Sequence, residues 1–142
     1  PIIIGGGGPK RTPNLAARFA DEFNLPFRPA DSFKEQVGRV SQACESIGRD
    51  PESIIFSVAQ VVCVSDSEKE FTKRAERIGR SPTELRENGV AGMPEEAVSR
   101  ILAFQEAGAT RIYLQVLDED DLDHVTFIAE SVAPLLQGGA DA

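Results

Sequence analysis

The sequence predicts an α/β fold of parallel strands covered by helices, and three observations carry that prediction. Strand and helix signals alternate four times along the 142 residues. The clearest strand, SIIFSVAQVVCV from Ser53 to Val64, is apolar almost throughout and β-branched, as strands covered on both faces are. The helical stretches are long enough to serve as right-handed crossovers between parallel neighbours. Four such units make close to half of an eight-stranded α/β barrel, which takes about 250 residues. A self-contained four-stranded α/β sandwich is the competing architecture. Either way the length is that of one domain, residues 1–142, able to bury a real core.

The first unit is a strand at Pro1–Ile4, a run of four glycines, and a helix from about Pro13 to Ala20. Thr12 suits the N-cap and Pro13 the first helical position, where a missing N–H costs nothing. Leu15, Ala16, Phe19 and Ala20 recur at helical spacing. The second unit has an extended stretch at Glu22–Pro26 and a helix from about Ser32, with Ser32 and Glu35 at capping-box spacing. Phe33, Val37, Val40, Cys44 and Ile47 form its apolar stripe, and Gly48 is its stop.

After the Ser53–Val64 strand, a helical region begins near Ser67 and is interrupted at Gly79. A capping box follows at Ser81 and Glu84. The loop NGVAGMPEE then restarts a helix at Pro94 that runs to Gly108. Met93 occupies the N-cap there, a poor choice worth about 1 kcal/mol against Ser or Thr. The fourth unit is TRIYLQVL, Thr110–Leu117, with Ile112, Leu114 and Val116 on one side and Arg111, Tyr113 and Gln115 on the other. A last helix spans about Asp121 to Leu136, and residues 137–142 read as a frayed tail.

The net charge of −8 argues against nucleic acid or an anionic membrane surface as the main partner, since both select basic faces. No apolar run reaches the roughly 18 residues of a membrane helix, and no secretory signal is visible. Cys44 and Cys63 stand far apart without a C-x-x-C or a nearby histidine pattern, so they read as reduced thiols in a cytoplasmic protein. The chain opens at Pro1 directly on an apolar strand, as a piece of a longer protein would.

Four glycines between a strand and a helix exceed what a turn needs. Amide N–H groups at a helix N-terminus lack intrahelical partners and lie at the positive end of the dipole. Glycines let an anion approach such amides closely, so strand, glycines and helix together form a phosphate cradle. Gly5, Gly6, Gly7 and Gly8 supply the loop; Lys10, Arg11 and Thr12 add two charges and a hydroxyl. GGGGPKRT is neither G-x-x-x-x-G-K-[ST] nor a clean G-x-G-x-x-G, so a plain strand-to-helix turn remains the alternative.

His124 is the only histidine, set among Asp118, Glu119, Asp120, Asp121 and Asp123. The simplest reading is a helix N-terminus with acidic residues in its first turn, with no metal site. Asp118 follows the last strand, the end at which barrel enzymes place their active sites, which gives it a substrate-side reading. Gln60 and Gln115 interrupt apolar strands; for Gln115, ligand contact and an internal hydrogen-bonding network both stand. Asp21 and Asn24 fit either a site-facing strand end or local turn chemistry.

Several segments then match one family in order. PIIIGGGGPKRTPNLAARFADEFN, IGRDPESIIFSV and NGVAGMPEEAVSRILAFQEAGATRIYLQVLDEDDLDH resemble the luciferase-like monooxygenases, and within them the actinobacterial branch that uses a deazaflavin, coenzyme F-420. The resemblance covers Pro1 to about Leu136. It implies an (α/β)8 barrel of TIM type, of which this chain corresponds to the C-terminal half. It implies an oxidoreductase that transfers hydride through coenzyme F-420 (an 8-hydroxy-5-deazaflavin) or FMN, acting on a small organic substrate. It also implies that Gly5–Gly8, and with them Lys10, Arg11 and Thr12, touch the phosphate-bearing side of the cofactor. No catalytic acid or base is assigned, because much of the ring pocket in the family comes from N-terminal strands. A half barrel has open sheet edges, so a homodimer or assembly with an N-terminal half is expected; a non-catalytic half-barrel that binds a ligand or a partner chain is the alternative. Met93 replaces the family's usual Ser or Thr, and Phe23 a common Trp.

Overall fold

A computed structural model describes residues 1–137; the tail residues 138–142 lie outside the described residues. The order is β1 (Ile3–Gly5), α1 (Arg11–Phe19), β2 (Glu22–Pro26), α2 (Ala30–Ser46), β3 (Ile55–Val64), α3 (Glu68–Arg77), α4 (Pro82–Asn88), β4 (Val90–Gly92), α5 (Pro94–Glu106), β5 (Arg111–Gln115), α6 (Leu122–Phe127) and α7 (Ala133–Gln137). A short 3₁₀ turn (Pro51–Ser53) precedes β3, and a π-helical stretch (Ile128–Val132) joins α6 to α7. The residues form two compact units. The first comprises 1–59 and 103–113, the second 60–102 and the described residues from 114 onward.

In the first unit β1 pairs parallel with β2, and β2 with the first half of β3, in the register Ile3↔Glu22↔Ile55. β5 also pairs with β3, and Thr110 N–H donates to Phe56 O at 2.9 Å. Period-2 alternation sends Phe23, Leu25, Phe56 and Val58 to one face, where they bury against Ala16, Phe33, Val40 and Phe104. Phe33 meets Phe104 edge-on, with ring centroids 6.2 Å apart. α2 ends as its sequence dictates: Gly48 takes φ +72°, and Arg49 N–H returns to Cys44 O at 2.9 Å.

In the second unit the end of β3 pairs parallel with β4, Cys63 opposite Ala91. Phe71, Ala75 and Leu85 pack on these strands. Ser67 and Ser81 cap α3 and α4 by accepting from Glu70 and Glu84 N–H at 3.4 and 3.5 Å, the second as the Ser81–Glu84 spacing predicts.

The remaining differences from the sequence reading are local. α1 starts at Arg11, so Thr12 and Pro13 sit inside the first turn and Lys10 holds the cap position without a side-chain bond. α2 starts at Ala30 after Pro29, and Ser32 caps nothing. The stretch taken as the NGVAG loop contains strand β4. Met93 N–H donates to Glu96 Oε2 at 2.7 Å, so the glutamate half of a capping box supports the helix start that Met93 cannot cap.

Candidate functional site

The glycine loop belongs to the first unit and leaves the C-terminal end of β1. Gly5 pairs with Asn24 in the ladder, and a Cβ on Gly5 would lie 2.9 Å from Asn24 O, so the close backbone approach requires glycine. Gly6 has φ +130°, a conformation that residues with side chains rarely adopt. A Cβ on Gly8 would lie 3.1 Å from Thr12 Oγ1, and one on Gly6 3.4 Å from the same atom. Thr12 therefore sits over the loop, and the space between them suits bare backbone.

The first turn of α1 follows this loop directly. Asn14 N–H is the first to close an intrahelical bond, to Lys10 O at 3.2 Å. Pro13 has no N–H, and Lys10 at the cap position makes no side-chain cap bond. No acidic residue stands in that turn, and Lys10 and Arg11 are exposed. A helix start without a side-chain cap, a hydroxyl and two exposed cations thus follow the glycine loop directly, the groups that an anionic oxygen cluster needs.

A residue that the sequence reading passed over supports the loop. Gln36 of α2 is 1% exposed and donates from Nε2 to Gly6 O at 3.2 Å and Gly8 O at 2.9 Å. Its Oε1 accepts from Arg39 Nη1 at 2.9 Å. The signal was present: Gln36 lies three residues after Phe33 and four before Val40, on the buried stripe, where a polar residue needs a partner.

Also in the first unit, Asn24 Nδ2 donates to Ser57 Oγ at 2.9 Å, joining β2 to β3 on the side of the sheet opposite the buried phenylalanines. Glu22, 3% exposed, accepts from Tyr113 Oη at 2.9 Å and from the Arg111 guanidinium. Burial pushes the Glu22 carboxyl up, but bonds from the Ser57 and Tyr113 hydroxyls and from Arg111 outweigh it and hold the group below its usual range.

The two substrate-side candidates fall in the second unit. Gln115 ends β5 and is exposed. The Asp118 carboxylate pairs with Arg77 Nη2 at 2.7 Å. Beside it lies a buried polar cluster. Arg74 donates to Asp121 Oδ2 at 3.0 Å, Val64 O at 2.9 Å and Ser65 Oγ at 2.8 Å. His124, 4% exposed, accepts Val64 N–H on Nε2 at 3.0 Å, while its backbone N–H donates to Asp121 Oδ1 at 3.0 Å. An Nε2 that accepts a backbone proton belongs to a neutral imidazole. Burial first, and the Arg74 charge second, push the His124 pKa down. Burial raises the neighbouring Cys63 thiol to about 11, which leaves it protonated and a poor nucleophile. These groups satisfy one another and complete the end of β3.

Residues 1–83 match the family model of the luciferase-like monooxygenases, which takes in the glycine loop, α1, β2, α2 and β3. The chain belongs to the luciferase-like monooxygenase family. No curated protein matches it. Among solved structures it is similar to the coenzyme F-420-dependent tetrahydromethanopterin reductase from Methanopyrus kandleri, at 15% identity and a TM-score of 0.73, over 96% of this chain and 51% of that one. An F-420-dependent secondary alcohol dehydrogenase in complex with an F-420–acetone adduct gives 15% identity and a TM-score of 0.77, over 96% and 48%. The oxygenating constituent of 3,6-diketocamphane monooxygenase from the CAM plasmid of Pseudomonas putida, in complex with FMN, gives 20% and 0.66, over 94% and 48%. This family member thus spans about half the length of the structures it resembles. The likeness bears out the parallel-strand α/β fold of TIM-barrel type expected from the sequence. Among the described residues, no helix is long and apolar enough to cross a membrane.

Proposed function

We propose that this chain carries the cofactor-phosphate loop of a flavin- or deazaflavin-dependent oxidoreductase. The observation that carries the reading is the uncapped start of α1 behind four glycines, inside the segment that matches the family. Gly5, Gly6, Gly7 and Gly8 let the phosphate reach the backbone. Lys10 and Arg11 supply charge, and Thr12 a hydroxyl. The site fits such a group on its own terms: a Cβ at Gly6 or Gly8 would crowd Thr12, and no carboxylate in the first turn of α1 opposes an anion. When bound, the flavin or deazaflavin ring supplies hydride transfer; this chain's residues bind and orient it. Coenzyme F-420 is the favoured cofactor, through the likeness to the actinobacterial branch, and FMN the alternative. Gln115 and Asp118 stand as substrate-side candidates, with Asp118 already held by Arg77. A cytoplasmic setting and a small organic substrate complete the reading.

A second reading rests on the sheet edge. Among the described residues β1 pairs only with β2, and Ile2 and Ile3 are 54% and 56% exposed. An apolar, hydrogen-bonding edge of this kind suits a neighbouring strand. A homodimer, or assembly with an N-terminal half, would cover it and leave this chain as a binding module.

Titration of the folded chain with F-420 and with FMN tests the first reading. Changing Lys10 and Arg11 together to alanine is expected to weaken either ligand about three- to tenfold at low salt, with the difference shrinking as salt rises. Binding of neither cofactor by the folded chain would overturn the oxidoreductase reading and leave the assembly reading standing.

A further inference from the structure

We infer that Gln36 is a positioning residue that sets the glycine loop in its anion-receiving shape, an inference that rests on the phosphate reading above. Three observations converge on it. Gln36 is a wholly buried polar side chain on a different element, α2, and it reaches the loop with two hydrogen bonds at 3.2 and 2.9 Å. Its direction is fixed: Arg39 donates to Oε1, so Nε2 must face the loop, and Arg39 is itself held by Glu35 one turn earlier. Both acceptors on the loop are carbonyl oxygens, of Gly6 and Gly8.

The choice of carbonyls has a geometric consequence. In a trans peptide the C=O and the following N–H point in opposite directions, and no peptide bond here is cis. Pinning Gly6 O on Gln36 therefore turns Gly7 N–H to the other side. Pinning Gly8 O turns away the nitrogen of Pro9, which carries no proton. The side opposite Gln36 is left with the Gly7 donor and without the two carbonyl oxygens, whose negative ends would repel phosphate. A run of glycines has too little conformational preference to hold this by itself, so a side chain from another element does so.

Two variants of the full chain test this. Gln36→Leu keeps the volume and removes both donors; Gln36→Glu places a carboxylate against two carbonyls at neutral pH and regains one donor when protonated. Without ligand, the amides of Gly6–Gly8 are expected to lose order in both variants, read by ¹⁵N relaxation. With ligand, Gln36→Leu is expected to bind FMN about tenfold more weakly, the scale of two lost hydrogen bonds, while riboflavin, which lacks the phosphate, binds unchanged. The Gln36→Glu variant should recover FMN binding relative to wild type as pH falls, a profile that packing alone would not produce. Gln36→Leu loops as ordered as wild type, or an unchanged preference for FMN over riboflavin in both variants, would overturn the inference. A wild-type chain that binds FMN no more tightly than riboflavin would overturn the phosphate reading and the inference with it. If Gln36→Leu fails to fold, the Gln36→Glu pH profile decides the matter alone.

Discussion

Replacing Arg74 by leucine is expected to lower the unfolding free energy by about 3–5 kcal/mol, the range for removing one partner of a buried ion pair. Arg74 and Asp121 have side chains only 11% and 8% exposed. Loss of the guanidinium takes the close donor from Asp121 Oδ2, Val64 O and Ser65 Oγ together, leaving Asp121 with His124 N–H and with Arg77 Nη1 at 3.9 Å, and removes a cation from above the Phe127 ring at 5.9 Å. Leucine fills the volume but supplies no donor. Urea unfolding at pH 7 measures the effect; a loss below about 1 kcal/mol would mean that water replaces Arg74 at little cost.

The same cluster gives the wild-type chain a definite pH dependence. His124 has its folded pKa pushed below 6.5, by burial and then by Arg74. Asp121 lies below 3.8: burial alone would raise it, but bonds from Arg74 and from His124 N–H more than offset that. A depressed folded pKa contributes stability that is present above the unfolded value and lost as pH falls. Stability should therefore decline first below pH 6.5, as the unfolded chain takes up a proton on histidine, and again below about pH 4.

The second large effect lies in the loop. Gly6→Val places a β-branched residue at φ +130° with its Cβ 3.4 Å from Thr12 Oγ1, at a strain of about 1–3 kcal/mol. Either the backbone or Thr12 must move, and the Gly7 donor opposite Gln36 loses its alignment. FMN affinity is expected to fall tenfold or more, about 1.4 kcal/mol per factor of ten. Gly38→Ala is the matched control. Its Cβ meets nothing within 4 Å in the middle of α2, so it should gain about 0.5–1 kcal/mol of stability and leave FMN binding unchanged. Equal effects from the two substitutions would detach the loop's shape from its binding.

The parts of this fold that were legible in the sequence are those set by near neighbours. The helix start near Ser67, the Ser81 cap, the Gly48 stop and strand β2 at Glu22–Pro26 depend on contacts within a turn or on a local apolar pattern. Ser32 at the same spacing failed because Pro29 starts α2 earlier. Three-residue β4 was too short to leave a period, and only its pairing with the end of β3 makes it a strand. The candidate site divides the same way. Its glycines, cations and threonine are contiguous and could be read directly, whereas Gln36 reaches the loop across 28 to 30 residues and Arg74 reaches Asp121 across 47. Both polar partners stood on otherwise apolar helix faces, which signals that a partner exists without saying which.

Amide NMR of the isotopically labelled full chain, titrated in parallel with FMN and riboflavin, tests most directly whether the glycine loop holds the cofactor phosphate. The expected result is FMN-specific movement of the Gly7, Lys10, Arg11 and Thr12 resonances, with riboflavin leaving them in place. Equal responses to the two ligands, or FMN-specific shifts confined to residues such as Gln115 and Asp118 while the loop stays still, would contradict it.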